Sequence, residues 1–257
     1  MIFPLGDDNT DRATTPLVNY ALIAVNVLVF VFLQGLGSNE RFTMAFSTVP
    51  AEILTGRDII TEDRIAQDPA TGRIVDIPGL QPTPFSVYLT LLTSMFMHGG
   101  LAHLGGNMLY LWIFGDNIED RLGHLRYVVF YLVTGIIASL AHVFSTVTFG
   151  GDAFIPSLGA SGAISGVLGG YLVLFPGRQV RVIMLNMLTE VPSLLAIGLW
   201  FVFQLMSGVG SLGAQGGGVA YAAHIGGFIA GLVLIKLFAA GRSISGISYG
   251  GRFRSFR

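Results

Sequence analysis

The sequence predicts an all-α integral membrane protein whose bundle contains six transmembrane helices. Apolar residue types make up 52% of the 257 residues and charged types only 11%, against about 25% charged residues in a soluble domain. So few polar groups cannot cover a globular surface, which excludes a soluble enzyme. The absence of cysteine from the sequence excludes a disulfide scaffold and thiol catalysis. The net charge of −1 gives no reason to expect a nucleic-acid partner.

The positions of the six helices follow from long gaps between charged residues. No Asp, Glu, Lys or Arg occurs in residues 13–39, 77–115, 127–151, 153–177 or 191–235. A spanning helix needs about 20 mostly apolar residues, so the last of these gaps contains two helices. The predicted spans lie near residues 17–35, 101–118, 125–147, 160–176, 191–207 and 220–239. The apolar segment 85–97 is shorter, and we expect it to lie along the membrane interface or to lead into span two.

The distribution of lysine and arginine predicts that both chain ends are cytoplasmic. In this orientation ten basic residues lie inside, and four lie outside in the long loop 36–84, together with seven acidic residues. We therefore expect a cytoplasmic N-terminal segment (1–16), a membrane domain (17–240) and a basic, flexible cytoplasmic tail (241–257). No basic region precedes the first apolar run, so no cleaved signal peptide is expected. The expected location is the plasma (inner) membrane of a bacterium.

Glycines recur at four-residue spacing in two of the predicted spans. Span four carries Gly162, Gly166 and Gly170, and span six carries Gly227 and Gly231. On membrane helices such a stripe lets two backbones approach closely. Spans four and six are therefore expected to pack against each other.

Polar residues of the predicted spans fall at a similar depth in the outer leaflet. His98, His103 and Asn107 lie at or near the start of span two, Ser161 opens span four, and His224 lies one turn into span six. Polar groups are costly in a bilayer and mark candidate functional sites. Because a histidine base can activate a serine hydroxyl, the set is consistent with a hydrolytic site.

Each member of this set also has a purely structural interpretation. Ser161 is small enough for helix packing, and a single histidine such as His224 is often an interior residue with satisfied hydrogen bonds. Spans four and six contain no acidic residue, so a hydrolytic site would be a Ser–His dyad without an aspartate. His124 falls in a predicted cytoplasmic loop and His142 has no polar neighbours in its span, so neither is a candidate base.

The histidines and the asparagine of span two leave two further alternatives open. His103 and Asn107 share one helix face, where they would either stabilise an oxyanion or form interhelical hydrogen bonds. His98, His103 and His224 are a conceivable metal site, although no carboxylate of the membrane interior would join them.

Four motifs, in this order along the chain, resemble those of the rhomboid family of intramembrane serine proteases. They are the run His98–Asn107, the segment Gly115–Gly123 with its G-x-x-x-E-x-x-x-G pattern, Gly159-Ala160-Ser161-Gly162, and Ala223-His224-Ile225-Gly226-Gly227. The similarity covers residues 84–240. It implies a rhomboid-like six-helix bundle that acts as a serine endopeptidase on transmembrane segments of membrane proteins.

The resemblance also implies roles for individual residues. Ser161 would be the nucleophile and His224 its general base. His103 and Asn107, with the Ser161 amide, would form the oxyanion hole, and His98 would belong to the polar network that lines the cavity. The structural members of the motifs would be Glu119, Arg121, Gly159, Gly162 and Gly227. No cofactor or metal is implied, and the partners would be the lipid bilayer and substrates with a transmembrane helix.

The chain departs from the family pattern in ways that leave two questions open. Many members have an aromatic residue one turn after the serine, which stacks on the histidine, whereas this chain has Ser165. What orients His224 is therefore open, with Tyr221 as a candidate. The long loop also lacks the tryptophan of the Trp-Arg pair found in some members, and its role is open.

Two other function classes remain as alternatives at this point. A catalytically inactive relative would bind membrane clients without cutting them, but such relatives generally lack the serine or the histidine. A channel or transporter would need polar residues along its whole path, whereas these cluster at one depth. One interpretation of the aromatic residues of span five, Trp200, Phe201 and Phe203, is that they form a lateral gate, with the loop 208–218 as a cap. The other is that these side chains only face the lipid.

Overall fold

The computed structural model describes residues 2–67, 72, 74–184, 186–210 and 220–241. Within them the α-helices are α1 (Leu17–Leu28), α2 (Glu40–Ala45), α3 (Pro50–Thr55), α4 (Thr90–Thr93), α5 (Leu101–Leu122), α6 (His124–Thr148), α7 (Ser161–Leu174), α8 (Ser193–Gly210) and α9 (Tyr221–Ala239). The strands are β1 (Ile2–Asp7), β2 (Arg64–Gln67), β3 (Ile74–Ile77), β4 (Gln179–Met184) and β5 (Met187–Pro192). Most of the predicted cap (208–218) and nearly all of the predicted tail (241–257) lie outside the described residues.

Six long helices occupy the positions of the six predicted spans. They are α1 with its π-helical extension Val29–Leu33, α5, α6, α7, α8 and α9. Two of the described helices, α6 and α9, are long and apolar enough to cross a membrane, and the apolar parts of α1, α7 and α8 are shorter. The helix α5 has 22 residues, but it includes His103, Asn107 and four charged residues near its end. The number of spans and their orientation stay predictions.

Helices α7 and α9 pack closely because their glycine stripes face each other. A Cβ atom on Gly227 would lie 2.1 Å from the carbonyl oxygen of Gly162, and one on Gly231 would lie 2.0 Å from that of Gly166. Real Cβ atoms essentially never come within 3.0 Å of such an atom. The distance between the two helix axes therefore depends on glycine at these two positions.

The end of α5 is joined to α1 and α6 through Glu119, which is fully buried. Its carboxylate accepts hydrogen bonds from the backbone N–H groups of Val18 (2.9 Å) and Asn19 (2.7 Å). These groups belong to the first turn of α1, where backbone donors have no intrahelical acceptor. The same carboxylate lies 2.5 Å from Nδ1 of His124. His124 is the first residue of α6, so the prediction that it lies in a loop was wrong. Gly123 alone connects α5 to α6.

A three-stranded antiparallel sheet at this end of the bundle was not predicted. Its order is β1-β4-β5, and β1 pairs with a strand about 180 residues away, for example Phe3 with Ile183. One face is buried at Val180 and Val182 and packs against the helices. The region had been expected to form loops, because strands this short give little signal in the sequence.

Asp7, at the end of β1, forms a buried polar cluster with the ends of α5 and α7. Its Oδ2 accepts hydrogen bonds from the Tyr171 hydroxyl (2.5 Å) and from Nδ2 of Asn117 (2.8 Å), and Arg178 donates to Asn117. Burial raises the pKa of Asp7 to about 7, although the hydrogen bond from Tyr171 opposes the shift.

The long loop 36–84 packs against the segment that leads to Ser161. Thr48 and Ser157 exchange two backbone hydrogen bonds (3.0 and 2.8 Å), and the Thr48 hydroxyl lies 2.9 Å from that of Ser94. The segment 85–97, expected along the interface or as a lead into span two, is buried at Ser94 and Met95, which are 3% and 1% exposed. The loop thus helps to hold the chain on either side of the candidate site.

Candidate active site

Ser161 and His224 lie in hydrogen-bond contact across the α7–α9 interface. Ser161 is the first residue of α7 and His224 is in the first turn of α9. The distance from Ser161 Oγ to His224 Nε2 is 2.8 Å, within the range needed for proton transfer between a nucleophile and its base. Gly159, just before the serine, has a φ of +119°, and a side chain there would lie 2.8 Å from the His103 ring. Glycine is therefore required for this turn of the chain.

A cavity of about 880 Å³ gives access to this pair. Its wall includes Ser161 and His224, together with His103 and Asn107 of α5 and Trp200 of α8. The polar residues named from the sequence lie in the first two turns of α5, α7 and α9, so these three helices begin near the cavity. Polar groups from these helices thus meet at one cavity, and their depth in the membrane stays a prediction.

Asn107 has a side-chain donor that no other described residue uses. The residue is 7% exposed, and its Nδ2 has no hydrogen-bond partner among the described residues. Leaving a buried donor unpaired is costly, and such groups call for an explanation such as a ligand or catalytic role. The Ser161 backbone N–H belongs to the first turn of α7, where amides have no intrahelical acceptor. Both groups are suited to bind a negatively charged oxygen.

His98 lies behind the cavity wall, although it was expected to line the cavity. It is 1% exposed, it is absent from the residues of the wall, and its ring packs edge-on against His103 with centroids 5.2 Å apart. Its backbone is held by Gln34, which accepts from His98 N–H and donates to His98 C=O, both at 2.9 Å. His98 therefore contacts the cavity through His103, whose Nδ1 is 3.4 Å from the Gly99 amide.

The sequence did not reveal which residue contacts Nδ1, the second ring nitrogen of His224. Nδ1 of His224 lies 2.9 Å from Oε1 of Gln204 on α8. Tyr221, the candidate named from the sequence, packs with its ring nearly perpendicular to the His224 ring, at 6.3 Å between centroids, and the Trp200 ring lies at the same distance. A single amide within the otherwise apolar helix α8 was the available signal, because a polar group inside a membrane needs a partner.

The structure adds one histidine to the cavity wall and bears on the metal alternative. His142, which had been set aside for lack of polar neighbours, lines the same cavity from α6. Among the described residues no group of three His, Asp or Glu side chains is placed to hold a metal ion. The metal alternative at His98, His103 and His224 thus gains no support, and His224 Nε2 already contacts Ser161.

The fold and the site together define a helical bundle in which a serine and a histidine meet at an internal cavity. A model of the Rhomboid domain matches residues 86–241. The chain is 33% identical over 216 residues to Rhomboid protein 1, mitochondrial, of Saccharomyces cerevisiae, which covers 83% of this chain and 51% of that protein. It is 36% identical over 217 residues to Rhomboid protease GluP of Bacillus subtilis, covering 82% of this chain and 35% of that protein.

A shorter match covers 38% of this chain and 26% of the human Presenilin-associated rhomboid-like protein, mitochondrial, at 36% identity over 99 residues. The chain spans about half the length of the yeast relative and about a third of the Bacillus one. The family model covers more than half of the chain. The chain belongs to the rhomboid family and is an integral, helical membrane protein.

Proposed function

We propose that the protein is an intramembrane serine endopeptidase with Ser161 as nucleophile and His224 as general base. The observation that carries the proposal is the 2.8 Å contact between Ser161 Oγ and His224 Nε2 at the wall of a cavity. The name of the Bacillus relative, a rhomboid protease, supports the same activity. An inactive relative that only binds clients is the competing proposal, and the intact Ser–His contact disfavours it.

The reaction proceeds through an acyl-enzyme. His224 Nε2 accepts the hydroxyl proton as Ser161 Oγ attacks the carbonyl carbon of the scissile peptide bond. The oxyanion accepts hydrogen bonds from Asn107 Nδ2, the Ser161 amide and the His103 ring. His224 then gives its proton to the leaving amine, and the peptide bond breaks. Water from the cavity hydrolyses the acyl-serine, again with His224 as the base.

The substrate class follows from the location of the pair within the helical bundle. A transmembrane helix satisfies its own backbone groups, so its carbonyls are not free for attack. Substrates are therefore membrane proteins whose transmembrane segment has small or helix-breaking residues near the scissile bond. The cavity wall beside Ser161 includes Ile164, Leu168 and Trp200, which suits an apolar substrate side chain. The proposed mechanism uses only these side chains, the Ser161 amide and water.

The proposed topology has six spans, with both ends of the membrane domain 17–240 in the cytoplasm. The sequence lacks cysteine, so single cysteines can report the sidedness. Arg57→Cys in the long loop is expected to react with an impermeant maleimide added outside intact cells, and Gln179→Cys at the other end only after lysis. The reverse pattern would refute the orientation.

The proposed compartment is the bacterial plasma membrane. The relatives named above include mitochondrial proteins and one from Bacillus subtilis, so a mitochondrial membrane is the alternative. Fractionation of yeast that expresses the tagged chain separates the two proposals. Import into mitochondria would favour the mitochondrial compartment.

The activity is tested by incubating purified protein with a model transmembrane substrate. Wild type should cleave it, whereas Ser161→Ala should not, and a fluorophosphonate probe should label wild type at Ser161. Ser145→Ala on α6 is the matched control, because it removes a serine hydroxyl outside the cavity wall. Cleavage by Ser161→Ala at the wild-type rate would refute the proposed nucleophile, and failure of wild type to cleave any substrate or to react with the probe would favour an inactive binding protein.

A further inference from the structure

The hydrogen bond between Gln204 and His224 joins the site to a third helix. Gln204 is 7% exposed on α8, and its Oε1 is 2.9 Å from His224 Nδ1. The neighbouring Phe203 is 58% exposed, so the helix presents its amide inward and its aromatic side chain outward. A buried amide in an otherwise apolar stretch is costly unless its hydrogen bonds are made. The contact with His224 gives this residue a specific partner.

The direction of this hydrogen bond determines which nitrogen of the imidazole is free. A neutral imidazole has a proton on one ring nitrogen only. When Oε1 of Gln204 accepts from Nδ1–H, the proton is on Nδ1, and Nε2 has a lone pair facing Ser161 Oγ. A donor at the position of Oε1 would favour the opposite tautomer, in which Nε2–H cannot accept the serine proton. The amide oxygen thus selects the form of His224 that acts as a base.

The rings around His224 cannot make this selection. Trp200 and Tyr221 lie with centroids 6.3 Å from that of the imidazole, and they restrict its tilt without distinguishing its two nitrogens. Ser165, where many family members carry an aromatic residue, donates its hydroxyl to the Ser161 carbonyl at 2.6 Å. Among the described residues His224 forms no ion pair with a carboxylate. Gln204 is therefore the group that orients the ring about its own axis.

We propose that Gln204 is a positioning residue that holds His224 in the base-competent tautomer and orientation. The role corresponds to that of the aspartate in a Ser-His-Asp triad, with a neutral amide in place of the charged group. The proposal rests on the proposed function, since it assigns a task within the same site.

Two substitutions of similar size separate hydrogen bonding from packing. Gln204→Met keeps the length of the side chain and removes the acceptor, so kcat should fall about tenfold, on the scale of one neutral hydrogen bond. Gln204 also lines the cavity, but the proposed role acts through His224 and not on the bound substrate, so KM should stay within about twofold. Gln204→Glu keeps an acceptor oxygen at the same reach. Its carboxylate lowers the yield of inserted protein, but kcat per active site labelled by the fluorophosphonate probe should stay within about threefold of wild type. The matched control is Leu205→Met, which introduces the same side chain at the next residue of α8, outside the cavity wall, and should leave both constants unchanged.

Three kinetic outcomes would overturn the proposal. If Gln204→Met keeps the wild-type kcat, the hydrogen bond has no role in catalysis. If Met and Glu variants are impaired equally, the residue matters for packing alone. A raised KM with unchanged kcat would mark Gln204 as a substrate-binding residue.

A spectroscopic measurement on the wild-type protein tests the proposal without any activity assay. In protein labelled with ¹⁵N-histidine, the His224 signals, identified by their loss in His224→Gln, should show Nδ1 protonated and Nε2 unprotonated. The same labelled Gln204→Met protein should show a mixture of tautomers. A predominant Nε2-protonated form in wild type would refute the role of Gln204. Cleavage that survives Ser161→Ala would instead refute the proposed function, so the two failures are distinguishable.

Discussion

Adding one methyl group to Gly227 is expected to separate Ser161 from His224. The Cβ of Gly227→Ala would start 2.1 Å from the Gly162 carbonyl oxygen, which is backbone and cannot rotate away. Reaching the 3.0 Å that real Cβ atoms require moves the two helices apart by about 0.9 Å at this level. His224 is one turn before Gly227 and Ser161 is next to Gly162, so the displacement acts directly on the pair.

The expected loss of activity follows from this displacement. If all of it reaches the pair, the distance from Oγ to Nε2 rises from 2.8 Å to about 3.7 Å, beyond the range of a hydrogen bond. A misplacement of about 1 Å in an active site costs about 10²-fold in rate. We therefore expect kcat of Gly227→Ala to fall about 100-fold, and that of Gly227→Val to fall further.

The assay is turnover of a transmembrane substrate by purified protein, with membrane accumulation measured in parallel. Gly170→Ala is the matched control on the same interface, because its Cβ would meet the side-chain atoms Ile235 Cδ1 (3.0 Å) and Phe130 Cζ (3.1 Å). Side chains of this kind can adjust by a few tenths of an ångström, so the control should lose much less activity. Wild-type turnover by Gly227→Ala would show that the helix separation does not determine the Ser–His distance.

Three further predictions concern the site and the buried carboxyl group of β1. Asn107→Ala should lower kcat about 10- to 1000-fold with little change in KM, the scale of one oxyanion donor, whereas a change in KM alone would contradict that role. The double variant Ser161→Ala/His224→Ala should be no less active than either single variant, since the two groups act as one unit, and additive losses would contradict this. Asp7→Asn should raise the thermal unfolding temperature at pH 8, with a difference that shrinks towards pH 5. Folding raises the pKa of Asp7 from 3.8 to about 7, so the folded state binds the proton more tightly than the unfolded chain. The stability of the wild type therefore falls as the pH rises from about 4 to about 7. An equal difference in unfolding temperature at pH 5 and pH 8 would contradict this pH dependence.

The sequence was sufficient for the long helices and for much of the site. Gaps between charged residues are a local signal, and they located the helices because a bilayer excludes ionised groups over about 20 residues. The contact between Ser161 and His224 could also be predicted, because spans four and six of the predicted topology begin on the same side of the membrane. The glycine stripes added the reason why those two helices come close enough for contact.

The features that sequence reasoning missed depend on contacts between distant parts of the chain. The pairing of Phe3 with Ile183 joins two short strands, and neither is distinctive without the other. Gln204 was visible as an isolated amide, but its partner depends on how α8 packs against α9. His142 and Thr146 both reach the cavity from α6, and the side of α6 that faces the cavity also depends on packing.

The choice of an amide as the partner of His224 is consistent with a site inside a helical membrane bundle. An ionised carboxylate in the place of Gln204 would lose its hydration, and this cost often exceeds the attraction to a neighbouring positive charge. A carboxylate at membrane depth would also destabilise insertion of α8, because acidic residues are among the most costly in a spanning helix. An amide has a much smaller desolvation cost and still offers an oxygen that accepts from Nδ1–H. The neutral partner thus fixes the tautomer of the base, and stabilisation of the charge that develops on the imidazole is left to the cavity and its water.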